Sequence, residues 1–478
     1  MTVANPTVVR RKRKYDLSFE QGTKWVDVPQ KVRFAADSAS AGSSSGSAED
    51  SLQRQGHDST GSHEKPVVNH TSRSREGQQE VHRASARLPI FSNIGNYTTT
   101  KPVLHQGLDS PLGWHIHDYN EALLFRYYVT DLAAWFDETD TQKHFTFAIP
   151  QLAQGCASLM NAILAFSAKH LSLQGKLPEA VSLHYTDACY KLLLPRLQEK
   201  AFAASGLAAV LLLRTVQHMT DSVSSDIGVG DFFLGLNVNL DALRANLDSN
   251  VHAAIFANVL RFYTHLALSN DKPLDLMDSN CEWLCHELPM PEDSRKWEWC
   301  ALMECCRAVN FVYGPKLKTM ERWMSGEASL SIFRLSRPPL LDPIYAEKDT
   351  EGEPFPRTIF ASEIHVASSI YYSLTTLLLI NNIPDCDSSH YNIPTPEEIE
   401  HQSYSSLRRV CGTATYHINS VPTLIKTSSV ICYAGHLLKT EAEQNAAYEL
   451  LMKAESHFPG TQPKAKIERL RASWGWTD

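Results

Sequence analysis

The chain has 478 residues, 43% of them apolar, 21% charged and 9% aromatic, which is enough for about three domains and fits a folded protein in contact with water. Collagen, coiled-coil rods and disulfide-dense scaffolds are excluded on composition. The net charge of −8 is unevenly placed: residues 1–100 hold 14 Lys+Arg against 10 Asp+Glu, a head of +4 before a body of −12. So acidic a body is a poor match for a phosphate backbone, so contact with nucleic acid is expected from the head or from outside this chain.

Residues 1–34 form a basic head. Arg10, Arg11, Lys12, Arg13 and Lys14 are five consecutive cations, a patch that suits the acidic groove of an import receptor and also phosphates. Nuclear import is the favoured reading, a DNA-flanking arm overlaps with it, and a merely solvated arm is the bland alternative. Trp25, Val26 and Val28 could dock as an extended strand on a partner. Residues 35–111 read as a disordered linker: between 35 and 90 there is no Phe, Trp or Tyr, and Ser, Gly and Gln crowd the stretch.

Residues 112–478 are expected to be all-α, a large irregular helical array. Leu124, Tyr128, Leu132 and Trp135 recur at helical steps, and Leu152, Cys156, Leu159, Ile163, Phe166 and His170 continue the spacing. Tyr185, Ala188 or Cys189, and Leu192 carry a further helix to Pro195, which should end or kink it. Other helices are expected at 205–220, 251–268, 297–313, 360–380, 403–418, 440–457 and 463–473. Long loops are expected at Ser325–Arg357 and Ile383–Ile399, both rich in proline. No fixed repeat emerges. Ile364–Pro384 lacks Asp, Glu, Lys and Arg and is long enough to cross a membrane, but its serines, threonines and asparagines point to a buried core helix.

No catalytic set stands out, so no enzyme is expected. Gly42-Ser-Ser-Ser-Gly46 fits an esterase signature only in letters, since it lies in low-complexity sequence rather than at a strand-to-helix turn. Gly228, Gly230 and Gly235 are spaced wrongly for a dinucleotide loop. The ten cysteines read as reduced thiols of a cytosolic or nuclear protein. Cys281, Cys285 and His286 could converge with Cys300, Cys305 and Cys306 on zinc, but the second group falls in a helical segment where cysteine serves as a small apolar residue. His115 and His117 suit an entry loop. The histidines at 170, 184, 218, 265, 365 and 436 each read as isolated on a helix.

The stretch Glu121–Asp137, with Tyr127, Tyr128, Trp135, Phe136 and Asp137, resembles the opening of the fungal-specific transcription factor domain. His144-Phe145, Pro150 and Leu159–Ser172, which contains Asn161, Ala162 and His170, extend the resemblance, and looser blocks reach Trp474 and Trp476. It implies an all-helical regulatory region of a gene-specific transcription factor in the nucleus, working with co-regulators, metabolites or a second copy of itself. In the family that region sits beside a six-cysteine cluster holding two zinc ions. No cysteine precedes Cys156, so no cofactor is expected in this chain. Zinc would enter only with a cluster encoded upstream and lost; otherwise the protein acts through partners as a cluster-less scaffold. DNA is then reached indirectly, and no membrane is involved.

Overall fold

Asp118 precedes the first described helix: its carboxylate accepts from the amides of Asn120 (2.7 Å) and Glu121 (3.2 Å) and caps α1, Tyr119–Tyr127. The structure is a computed structural model that describes residues 116, 118–195, 203–220, 250–274, 295–347, 352–385 and 393–476, all within one compact unit, 86–478. The cation run 10–14, Trp25, His115, His117, the glycines at 228, 230 and 235, and Cys281, Cys285 and His286 lie outside the described residues.

The body is all-α. After α1 the helical path continues as a π turn, Tyr128–Leu132, and a 3-10 turn, Ala133–Trp135. Leu124, Tyr128 and Leu132 share one fully buried face, as their spacing predicts. The next expected helix is in fact two, α2 (His144–Gln154) and α3 (Ala157–Leu173), because the backbone turns extended at Cys156. Leu152 therefore points outward rather than joining Leu159 and Ile163. α3 is buried on nearly every side by α1, α2, α4 (Glu179–Leu193) and α5 (Ala204–Thr220), which makes it the central helix of this layer. α4 stops just before Pro195, as expected.

α6 (Asn250–Asn270) joins this layer to a second one, since it packs on α2 and α5 on one side and on α7 (Arg295–Tyr313) and α11 (Val421–Ala434) on the other. Spacing missed α11 altogether. Its first turn holds Pro422, where the absent amide hydrogen is harmless. The first third of the expected loop at 325–357 is instead helical, as part of α8, Met320–Ser336. The Thr319 side chain caps it, Trp323, Leu330 and Phe333 bury one side, and Pro338 stops it. Its small residues hide the period, and at one of them the packing is close: a Cβ on Gly326 would sit 3.2 Å from a methyl of Leu379. Beyond α8 a short antiparallel pair, Tyr345–Ala346 with Thr358–Ile359, is the only strand pairing among the described residues.

α9 (Glu363–Ile380) is the apolar segment long enough to cross a membrane. In the fold 78% of that window is buried, against α7, α8, α11 and α10, Pro396–Tyr416. α10 starts at Pro396 rather than near 403 because Thr395 and Glu398 form a reciprocal capping box, which shortens the second expected loop. Thr440 and Glu443 do the same for α12 (Glu441–His457), and α13 (Lys464–Ser473) closes the chain's described part.

Candidate functional site

Two helices that are otherwise uncharged each carry one long cation, Arg261 in α6 and Lys426 in α11. Both are turned inward. Lys426 Nζ donates to the two carboxylate oxygens of Glu138 at 2.7 and 2.6 Å, and Arg261 donates to Glu298 of α7 at 3.0 and 2.9 Å and to the hydroxyl of Thr139. The four ionic side chains are buried or nearly so and sum to zero charge. Burial pushes the Glu138 carboxyl up, and Lys426 pulls it back only in part. Burial also works against the Arg261 charge, but Glu298 overcompensates and holds it above its usual value. Such a pair contributes little net stability against an apolar substitute, yet stranding one member is costly.

This ionic cluster floors a cavity of about 100 Å³, enough for several waters or a small organic molecule. Trp135, Phe136, Phe262, Leu374, Ile425 and Phe458 form its apolar walls. Tyr371, with Lys426 5.8 Å above its ring, and Asn258 add polar groups. Burial holds the Tyr371 phenol well above 10, so it stays protonated.

The far wall holds a histidine group that sequence spacing treated as isolated residues. His265 shares a 3.0 Å hydrogen bond between Nδ1 and the Ser429 hydroxyl and lies edge-on to His218, 6.0 Å between ring centres. His218 in turn stacks on Phe458 at 5.5 Å, and Phe458 meets Trp135 at 6.2 Å. Burial lowers His218 to about 4, against an opposing pull from the Gly460 backbone, and lowers His265 to about 3 with help from His218. These rings are neutral packing groups at physiological pH.

Residues 123–245 match the family model of the fungal specific transcription factor domain. That segment, about a quarter of the chain, is similar to the domain. No curated protein and no solved structure matches the chain. The matched segment supplies one side of the cavity, through Trp135, Phe136, Glu138 and Thr215, while α6, α9, α11 and Phe458 supply the rest.

Most of the residues that carry the resemblance serve the domain's packing. The Tyr127 hydroxyl lies 2.7 Å from His170 Nδ1, and Trp135 sits edge-on to the same imidazole at 5.0 Å; burial lowers His170 to about 4. Tyr128 is fully buried, as is Ala162 inside α3. Asp137 accepts from the amides of Phe145 and Thr146, both at 2.8 Å, and from the Thr146 hydroxyl at 2.6 Å, so it caps α2 from outside the helix. His144 pairs with Asp140 at 2.7 Å, and Phe145 stacks on Phe136 at 4.8 Å. Pro150 lies buried within α2, and the Asn161 amide donates to the Ala157 carbonyl. Only Trp135 and Phe136 of this set reach the cavity.

Sequence spacing passed over Glu138, Asn258, Arg261, Glu298, Tyr371 and Lys426. A usable signal was there: a single full charge in an apolar helix must find a buried partner. Cys305 and Cys306 pack in the core, Cys306 within 3.2 Å of the Thr264 hydroxyl, and burial pushes the Cys305 thiol well above 9. Among the described residues no three His, Cys, Asp or Glu side chains converge as metal ligands.

Proposed function

We propose that the chain is a nuclear transcription regulator whose helical body senses a small molecule in the cavity between α6, α9 and α11 and passes occupancy on as a change in affinity for co-regulators. The observation that carries this reading is that the fungal transcription factor domain, residues 123–245, forms one wall of that cavity and the later helices the other. A molecule bound there touches both parts, so it has a route to bias their packing. The −12 body supports contact with DNA being made outside residues 112–478, and the run Arg10–Lys14 supports entry through an import receptor.

The test is imaging of the fluorescently tagged full chain. Nuclear accumulation, lost when residues 10–14 become alanine, is the expected result; cytosolic retention of the unaltered chain sinks the nuclear reading.

A second reading, a helical scaffold that binds other proteins without DNA, is favoured by the outward side of α8. Met324, Ile332 and Leu335 are exposed there at 46%, 64% and 79%, and Leu340 and Ile344 follow. A groove lined by Arg307, Phe311, Arg322 and Ser325 runs between α7, α8 and α9. Affinity capture of a stable partner without promoter enrichment would support it.

A further inference from the structure

The cavity's polar groups restrict what can occupy it. The Asn258 side-chain amide donates both its hydrogens, one to the Phe136 carbonyl at 2.8 Å and one to the Ala254 carbonyl at 3.0 Å. Two carbonyl acceptors fix the orientation of the amide, because a flipped group would set oxygen against oxygen. Its Oδ1 then has no donor among the described residues. Tyr371 is 3% exposed, and its hydroxyl has no hydrogen-bond partner among the described residues. The cavity thus offers an unused acceptor in Asn258 and an unused phenolic donor in Tyr371; on its far wall the buried His265 Nε2 also lacks a partner among the described residues.

Charge narrows the choice further. Lys426 and Arg261 each already face a carboxylate, and the Ser429 hydroxyl is taken by His265 and by Gln462 at 3.2 Å. An incoming anion would add a third negative group to a buried cluster that sums to zero, with no unpaired cation to receive it. A neutral guest pays no such penalty. A purely apolar guest would fill the aromatic walls but leave both polar groups unanswered.

We propose that the cavity binds a small neutral aromatic or alicyclic molecule bearing one acceptor, for the Tyr371 hydroxyl, and one donor, for Asn258 Oδ1. This rests on the ligand-sensing reading above and names the class of that ligand. It also assigns Tyr371 and Asn258 as specificity determinants.

The experiment is calorimetric titration of the purified full chain with three probes of similar size: 4-hydroxyacetophenone, toluene and benzoate. 4-Hydroxyacetophenone is expected to bind saturably at one site, at least tenfold more tightly than benzoate and severalfold more tightly than toluene. Tyr371→Phe should weaken 4-hydroxyacetophenone about fivefold and leave toluene unchanged. Leu374→Phe, which narrows the cavity with little change of chemistry, should abolish binding of both, with unchanged helix content checked by circular dichroism.

Silence from all three probes overturns ligand sensing itself, and with it this proposal, while the nuclear reading keeps its separate test. Toluene or benzoate binding as tightly as 4-hydroxyacetophenone leaves ligand sensing standing and overturns the neutral, polar class. Unchanged affinity in Tyr371→Phe overturns the assigned contact, and unchanged affinity in Leu374→Phe places the binding outside the cavity and overturns the proposal.

Discussion

α3 and α11 are both central helices, yet they are held in different ways. α3 is wrapped by neighbours on nearly all sides, and its buried cation, Lys169, reaches out to the half-exposed Glu179 at 2.6 Å. α11 is anchored inward, by Lys426 on a carboxylate that is itself buried. The first arrangement tolerates loss of its ion pair because water can take over at Glu179. The second cannot, so the cavity region is more sensitive to charge than the layer around α3.

Breaking the contrast should give the largest effect at Lys426. Lys426→Met strands Glu138 and is expected to cost about 3–5 kcal/mol in urea denaturation. Adding Glu138→Gln should recover most of that loss, whereas Lys169→Met, which leaves Glu179 in water, should cost under about 1 kcal/mol. A milder Lys426→Met would mean that Glu138 is reached by water.

Acid sharpens the same comparison. The folded values of His170 and His218 are about 4 and that of His265 about 3, all below the unfolded value of 6.5. Their contribution is fully present above pH 6.5. As the pH falls below 6.5 the unfolded chain takes up protons that the buried rings refuse, so stability drops by roughly 1.4 kcal/mol per pH unit for each ring, until the folded values are reached. Urea midpoints at pH 7 and 5.5 measure it. His218→Phe, apolar and of similar shape, should flatten the slope by about one ring's share.

Smaller effects are expected away from both centres. A Cβ on Gly412 would sit 2.0 Å from the Pro356 carbonyl oxygen, so Gly412→Ala must push α10 off the 354–358 segment and should cost about 1–3 kcal/mol in thermal or urea unfolding. Ile332→Ser with Leu335→Ser changes only exposed side chains and should move stability by no more than about 0.5 kcal/mol. A larger loss there would show that α8 has a covering partner in solution.

The all-α architecture was legible because helical spacing survives wherever one side of a helix is buried, as at Leu124, Tyr128 and Leu132. It failed in three ways. Cys156 breaks a run whose residues keep the period on both sides of the break. α8 hides its buried side behind Gly326 and several serines, and its other side is itself apolar. α11 was passed over although Ser420-Val-Pro422 is a fair helix start. The cavity was less legible than the fold, since its walls come from segments hundreds of residues apart. What the sequence does display is the lone cations Arg261 and Lys426; it cannot display which carboxylates they meet.

The bond between Glu138 and Lys426 joins residues 288 positions apart. At 5–20 residues per second, a ribosome takes roughly 15–60 s to deliver the lysine after the glutamate has emerged. During that interval the early helices exist without their counter-ion, and the apolar surface meant for α11 stands open. Glu138 and the surface around it therefore stay open to water until α11 has been made.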